Sequence, residues 1–321
     1  MSSLDFYGNV AFSLNREFQE HMEASVAFYR KKTGYQYRYQ IPIVCNSSFE
    51  RTRIFAAQEV DELPSVIASI GFEEIFETSF VTRFIRPGFF RFRTPQPMNP
   101  LFQNAGFMDP ENIYFVHAVT PYVFLIDLER LKDQPEPRSW ADLLSSFYEG
   151  KIIFNGCRTD IPYIVPLYIF KNFGKEGLES FAANVREARH AVSIARSAGD
   201  GTSEGAAIYI LPWFYAASCS RNETTHIVWP EDGAVTSPMI LLQKESTSYR
   251  TTPLAQAVAG KTFGQKAASS FFPSSNPVVN NGLPLHAALQ WIGWDFLREN
   301  SMDSLKIEIG QVFRKVWEKW F

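Results

Sequence analysis

Residues 201–205 read Gly-Thr-Ser-Glu-Gly, the G-x-S-x-G pattern on which α/β-hydrolases mount a nucleophilic serine. Asp232 and His286 follow Ser203 in the chain order that such hydrolases use. The pattern requires a strand before the serine and a helix after it. Here the preceding residues have a helical pattern, and the following ones predict a strand. Because this context is reversed, we do not predict Ser203 to be a nucleophile.

Other catalytic patterns do not occur in the sequence. Residues 199–205 lack the Lys-Ser/Thr pair of a phosphate-binding loop and do not open a helix. The 5 histidines are scattered without an H-E-x-x-H arrangement, and the 3 cysteines are widely spaced without C-x-x-C. The sequence therefore predicts no catalytic residue, no metal site and no cofactor.

Composition excludes several classes of partner. The formal net charge of −3 over 321 residues gives no basic field for nucleic acid. Residues 83–93 mix arginine with phenylalanine, which is a pattern also seen in platforms that stack single-stranded nucleic acid. Four prolines between residues 87 and 100 instead favour an irregular surface segment. We therefore expect no nucleic-acid partner.

No apolar run is long enough to span a bilayer.

The order of elements indicates how a site would be positioned. Strand and helix patterns alternate over the first 71 residues, which predicts a parallel sheet covered by helices. Ligand sites in such sheets gather at the carboxyl ends of the strands. We therefore expect the loops at 8–12, 45–48 and 69–72 to meet at one edge. Further helices are expected over 178–195, 285–296 and 305–317.

Two long apolar stretches, 113–126 and 234–242, predict strands that cross between two lobes. The predicted fold class is α/β, with two lobes, each a mainly parallel sheet flanked by helices, and two crossover strands forming a hinge. Lobe 1 would comprise residues 1–118 and 238–321, and lobe 2 residues 119–237. A cleft between such lobes closes on a ligand by hinge bending.

Two motifs resemble a known family. Residues 139–154 (SWADLLSSFYEGKIIF) and 227–238 (IVWPEDGAVTSP) are similar to segments of type II extracellular solute-binding proteins of ABC importers, in the iron(III), polyamine and thiamine group. The strand at 62–69 (ELPSVIAS) looks like the third strand of that family. The resemblance implies a binding protein that captures a small polar or charged ligand by hinge closure, with an ABC permease as partner and a monomeric state.

The resemblance also implies which residues bind the ligand. The family's site consists of first-lobe strand ends, the hinge and second-lobe helix starts, which implicates Asn9, Asn46, Ser47, Ser48, Ser69, Arg158, Thr159, Asp160, Tyr209, Trp213, Phe214 and Asp232. Iron-binding members carry adjacent tyrosines where this chain reads Trp213-Phe214-Tyr215. Tryptophan and phenylalanine give no anionic oxygen, so an organic ligand against an aromatic wall is the better expectation.

Two other functions stay open at this point. One is an enzyme on the same fold, similar to pyrimidine-precursor synthases for thiamine, with Cys157, His117 and Asp160 as the nearest candidate groups. The other is a cytoplasmic ligand-sensing module. The family is exported, but residues 1–15 show no signal-peptide pattern, so both a periplasmic and a cytoplasmic location remain expectations.

Overall fold

Contacts divide the chain into two compact units. The computed structural model describes residues 4–42, 48–92, 97–157 and 162–317. Unit 1 comprises Met1–Thr120 and Ser237–Gly282, and unit 2 comprises Pro121–Thr236 and Leu283–Phe321.

The described residues form ten strands and twelve α-helices, joined by short 3-10 turns. The strands are β1 (Phe6–Gly8), β2 (Tyr39–Gln40), β3 (Val66–Ile70), β4 (Phe115–Asp127), β5 (Ile152–Asn155), β6 (Val185–Arg189), β7 (Ile208–Pro212), β8 (Thr225–Val228), β9 (Ala234–Gln243) and β10 (Leu289–Gln290). The helices are α1 (Asn15–Thr33), α2 (Ser48–Phe55), α3 (Thr78–Phe80), α4 (Pro100–Asn104), α5 (Leu128–Leu131), α6 (Ile164–Asn184), α7 (Ala191–Ser197), α8 (Trp213–Ala217), α9 (Ser248–Ala259), α10 (Lys261–Ser269), α11 (Trp294–Glu299) and α12 (Met302–Trp317).

The sheet of unit 1 has the order β2-β1-β3-β9. Strands β1, β2 and β3 are parallel, with Phe6 opposite both Tyr39 and Val66. Strand β9 runs antiparallel to β3, so that Ile70 faces Met239. The carboxyl ends of β1, β2 and β3 therefore share one edge, as the alternation of elements predicts.

Helix α1 covers the sheet of unit 1 and packs on α9 and α10. Its apolar stripe of Phe18, Met22 and Val26 is buried, and burial of such a stripe is what stabilises a surface helix. The helix ends at Gly34, whose φ of 74° is a left-handed conformation that glycine adopts without strain.

The sheet of unit 2 has the order β8-β4-β7-β5-β6. Strands β5, β6 and β7 are parallel to one another, whereas β4 is antiparallel to β7, with Tyr122 opposite Pro212. All 13 residues of β4 are buried, which explains why it reads as a continuous apolar run. The start of the unit 2 part of β4 therefore lies at the carboxyl edge of β5 and β7.

The prediction of one helix over 178–195 is correct at both ends but wrong between them, at residues 185–190. Helix α6 ends at Asn184, and the next residues form β6, the edge strand that pairs with β5. The sequence of β6, Val-Arg-Glu-Ala-Arg, has good helix formers, but tertiary pairing overrides propensity at a sheet edge. The helix expected over 285–296 is also wrong, because β10 and a turn precede the short α11.

Two of the three chain crossings, after Thr120 and Thr236, lie within two residues of the boundaries given for the lobes, and the third, after Gly282, has no counterpart among them. Residues after 282 belong to unit 2, not to the first lobe. Helix α12 packs along α6, and Trp317 Nε1 donates a hydrogen bond of 3.0 Å to the Val185 carbonyl. Leu305, Ile309 and Phe313 of α12 are buried. The helical pattern of this segment was readable, but its burial partner was not.

Candidate functional site

The carboxyl edge of unit 1 carries two residues that the family resemblance implicates. Asn9 follows β1 and is half-buried, and its backbone N–H donates to the Ala68 carbonyl of β3 at 2.9 Å. Ser69 lies in β3 and is buried. Both residues therefore sit at the edge where strand order predicts a ligand, and whether they touch one stays a prediction.

Three charged residues at the same edge were not predicted. Arg51 of α2 forms ion pairs with Glu74 and, at 3.9 Å, with Glu73, both of which follow β3. Burial opposes the charge of Arg51, but these carboxylates outweigh it and raise the pKa of the guanidinium. Because Arg51 is held by two carboxylates, its charge is already balanced at this edge. The spacing of these residues in sequence gives no signal for this cluster.

Several predicted ligand residues lie outside the described part of the chain: Asn46, Ser47, Arg158, Thr159 and Asp160. Ser48 is the first residue of α2.

The carboxyl edge of unit 2 holds a cluster that we call the aromatic corner, defined as Tyr122, Asn155, Phe214 and Tyr215. Asn155 ends β5, Phe214 and Tyr215 lie in α8 directly after β7, and Tyr122 faces the last residue of β7. The side chain of Asn155 hydrogen-bonds the Tyr122 hydroxyl. The rings of Phe214 and Tyr215 stand edge to face, with centroids 5.1 Å apart. Phe214, Tyr215 and Asn155 are each half-buried.

Tyr122 stays a neutral phenol at any ordinary pH. Its side chain is 5% exposed, and burial raises the pKa of its hydroxyl to about 12. The hydrogen bond from Asn155 opposes this shift, and the neighbouring Tyr215 adds to it. A phenol in this state donates or accepts a hydrogen bond.

Trp213 is placed differently from the prediction. It is only 7% exposed and belongs to the core of unit 2, where its ring stands edge to face with Trp229 at 5.2 Å. A ring that packs into the core leaves little surface for a ligand. Of the predicted aromatic pair, Phe214 is therefore the one with an accessible face.

Tyr209 also lies in the core rather than at the edge. Its side chain is fully buried, and its hydroxyl accepts a hydrogen bond of 2.9 Å from the Ala206 N–H. The side chains of successive strand residues alternate between faces, and Tyr209 falls on the face covered by α7. This placement does not favour ligand contact, and the role of Tyr209 as a ligand residue stays a prediction.

Asp232 joins the two family motifs. Its carboxylate accepts a hydrogen bond of 3.1 Å from the Trp140 N–H, and the Trp140 indole donates to the Gly233 carbonyl at 2.9 Å. Burial raises the pKa of Asp232, which shows a group partly removed from water. Trp140 is fully buried. Asp232 therefore holds motif 139–154 against motif 227–238, and its contact with a ligand stays a prediction.

The loop that contains Ser203 has no hydrolase geometry. It follows α7 and precedes β7, which is the reverse of a nucleophile elbow. The Ser203 hydroxyl donates to the side chain of its neighbour Glu204 at 3.3 Å, and arginines bind the loop carbonyls, including Arg186 to Glu204 at 2.6 Å. Asp232 is engaged with Trp140, as described above. The loop is an arginine-bound turn.

Among the described residues, no group of three or more His, Cys, Asp or Glu side chains is arranged to hold a metal ion. No helix in this same part of the chain is long and apolar enough to cross a membrane.

The fold matches solved binding proteins over nearly its whole length. The periplasmic binding protein AfuA from Actinobacillus pleuropneumoniae, with fructose-6-phosphate bound, is 16% identical with a TM-score of 0.60, and 98% of each chain is covered. A Bordetella ferric binding protein is 11% identical with a TM-score of 0.64, again over 98% of each chain. The Trichodesmium protein IdiA (FutA), in complex with iron and citrate, is 11% identical with a TM-score of 0.65 and coverage of 98% and 99%. At these identities the likeness concerns the fold, and it confirms the predicted fold class. No curated protein sequence matches the chain.

A comparison of the sequence with family profiles identifies the family of this chain. The profile of the bacterial extracellular solute-binding protein family matches residues 61–300, which is well over half of the chain. The matched region contains both motifs on which the resemblance rests, and the structure brings those motifs together through Trp140 and Asp232. The chain belongs to the family of bacterial extracellular solute-binding proteins.

Proposed function

We propose that this solute-binding protein takes a small organic solute at the aromatic corner of unit 2 and delivers it to an ABC permease as a monomer. The observation that carries the proposal is the pair of Tyr122 and Asn155. They form a neutral polar contact, a phenol and an amide, beside the accessible rings of Phe214 and Tyr215. Rings beside neutral hydrogen-bonding groups suit a ligand with a flat or apolar face and a polar substituent.

The chemistry of this corner argues against ferric iron as the cargo. Fe(III) favours several anionic oxygen ligands, and the aromatic corner combines its two phenols with an amide and a phenyl ring but no carboxylate. The proteins with similar folds include both ferric binding proteins and one with fructose-6-phosphate bound, so the fold is compatible with either kind of cargo. The side chains of this chain favour the organic kind.

We also propose that the protein binds its solute without turning it over. Of the candidate groups for an enzyme, His117 is buried in unit 1 and its Nε2 has no hydrogen-bond partner among the described residues. Cys157 follows β5 in unit 2 and is half-buried. The family to which the chain belongs supports this proposal, because its profile is that of extracellular solute-binding proteins. The test is recovery of the bound solute unchanged after long incubation, and turnover that is lost in Cys157→Ala would contradict the proposal.

Thermal unfolding with a panel of organic solutes and of metal ions tests the cargo class. A solute at about 100 times its Kd stabilises the protein by about 2.7 kcal/mol, which is an easily measured rise in Tm. We expect an organic solute to give this rise and ferric iron to give none. Phe214→Ala is expected to weaken binding by roughly fivefold, since an aromatic contact contributes about 1 kcal/mol.

Phe147→Ala is the matched control. Phe147 is also in unit 2 and is 66% exposed, but it lies before β5, at the opposite edge of the sheet from the aromatic corner. The control should leave the Kd unchanged. Equal losses in the two variants, or a shift with ferric iron alone, would refute the assignment.

A further inference from the structure

Unit 1 has a groove far from the carboxyl edge of its sheet. We call it the α1 groove, and its volume is about 570 Å³. The residues that line it are Glu23, Val26, Ala27, Arg30, Lys31, Gln36, Tyr37 and Tyr39. This volume is typical of small-molecule sites, which span about 300–1,000 Å³.

The position of the groove follows from the direction of α1. The helix begins at the carboxyl edge, where Asn15 donates a hydrogen bond of 2.6 Å to the carbonyl of Pro42, just after β2. Its second half therefore lies at the amino edge, next to the residues that precede β2. The α1 groove is formed by that second half, so it is separate from the carboxyl edge at which Asn9 and Ser69 lie.

The floor of the groove is apolar and fixed in place. Val26 is 9% exposed and Tyr37 is 6% exposed. The Tyr37 hydroxyl donates a hydrogen bond of 2.9 Å to the Arg250 carbonyl, which holds the ring against the helix. Burial keeps the pKa of Tyr37 above its ordinary value, so the ring is neutral as well as fixed. A flat apolar group fits such a floor.

The rim of the groove is charged unequally. Arg30 and Lys31 are exposed cations, and neither has an ion-pair or hydrogen-bond partner among the described side chains. Glu23, the acidic residue of the rim, accepts a hydrogen bond of 3.0 Å from Gln19. It lies seven residues before Arg30, about 10 Å along the helix axis. The end of the groove next to Gln36 and Tyr37 is therefore positive and the far end negative.

We propose that the α1 groove is a second binding site, for a small organic anion with an apolar, ring-bearing body. The anionic group would lie between Arg30 and Lys31, and the body over Val26 and Tyr37. Charge complementarity and the neutral tyrosine floor support this occupant. The proposal is independent of the site at the aromatic corner, because the two sites lie in different units.

The test uses 8-anilino-1-naphthalenesulfonate, which has one sulfonate and two ring systems and fluoresces when an apolar site takes it up. Titration of the folded protein should show saturable binding, of which one component is lost in Ala27→Trp, a variant that fills the groove from the helix surface. Lys31→Gln and Arg30→Gln should each weaken that component roughly twofold to fivefold, as expected for an exposed charge contact. Glu23→Gln should strengthen it by a similar factor.

Lys32→Gln is the matched control, since Lys32 is also an exposed cation in the last turn of α1 but does not line the groove. It should leave the affinity unchanged. Equal weakening by Lys31→Gln and Lys32→Gln would indicate attraction by general charge and would overturn the proposal. Unchanged binding in Ala27→Trp, with far-UV circular dichroism showing a folded variant, would also overturn it. Loss of binding in Phe214→Ala alone would assign the probe to the aromatic corner instead.

Discussion

Replacement of His117 by leucine should remove a large part of the acid sensitivity of unit 1. His117 is 3% exposed, its Nε2 has no hydrogen-bond partner among the described residues, and burial lowers the pKa of its imidazole to about 3. In the unfolded chain the same group takes up a proton near its ordinary pKa of 6.5. As the pH falls through 6.5, His117 therefore binds a proton in the unfolded state but stays unprotonated in the folded state. Stability from this group is present above pH 6.5 and is lost as the pH falls.

The size of the effect follows from the two pKa values. A fall from 6.5 to about 3 corresponds to about 5 kcal/mol in total, of which about 2 kcal/mol is lost at pH 5. Urea unfolding at pH 7.5 and pH 5.0 measures it. We expect the difference between the two pH values to be about 2 kcal/mol smaller in His117→Leu than in the unmodified chain. Hydrogen exchange of the β3 amides assigns the change to unit 1.

The difference between the two proteins reports His117 alone, because the other titrating groups are the same in the variant and in the unmodified chain. His21, whose ring also packs near Phe263, has its pKa lowered chiefly by burial, so it contributes acid sensitivity to both proteins. His117→Gln serves if the leucine variant does not fold. An equal pH difference in the variant and the unmodified chain would refute the reasoning, because it would mean that His117 is protonated in the folded state or that the ring reaches water.

Three further changes test the packing described above. Lys244 is 3% exposed, and burial lowers the pKa of its ammonium group to about 8. The free energy of unfolding should therefore rise by about 3 kcal/mol between pH 8 and pH 10.5. Urea titrations should show a smaller rise in Lys244→Met. Gly233→Ala should destabilise unit 2 by about 2 kcal/mol in denaturant unfolding, because Gly233 has a φ of 104° and an added Cβ would lie 2.9 Å from Gln290 Cγ. Tyr209→Phe should lower the free energy of unfolding by about 1 kcal/mol, because the hydrogen bond from the Ala206 N–H is lost. The Kd for the solute should stay unchanged, and a large loss of affinity would indicate that Tyr209 contacts the solute.

Much of the fold is predictable because its strongest signals are local. The apolar run of β4 indicates burial on both faces, and the strand lies within two residues of the stretch 113–126 that predicts it. Strand β6 is not predictable in this way, because its residues favour a helix and only the neighbouring β5 makes it a strand. The placement of α12 depends likewise on α6, a partner more than 100 residues away.

The site is less predictable than the fold. Strand-end rules indicate an edge of each sheet, and the same rule, applied to β5, indicates Asn155 at the end of that strand. Tyr122 could not, since it begins the unit 2 part of a strand and reaches the edge only because β4 is antiparallel to β7. Trp213 and Tyr209 show the converse, because an aromatic residue near a strand end packs into the core as readily as it faces a ligand.

The division of the chain has a consequence for the order of its assembly. The chain passes between the units after Thr120, Thr236 and Gly282, so neither unit is one continuous stretch. During synthesis the sheet of unit 1 is completed only when β9 has been made, and unit 2 is completed later, because α12 follows β9 in the chain. A released chain truncated after Gly282 would contain all of unit 1, together with a unit 2 in which α6 lacks its partner α12. Proteases should therefore digest unit 2 of this truncated chain first, while unit 1 survives digestion.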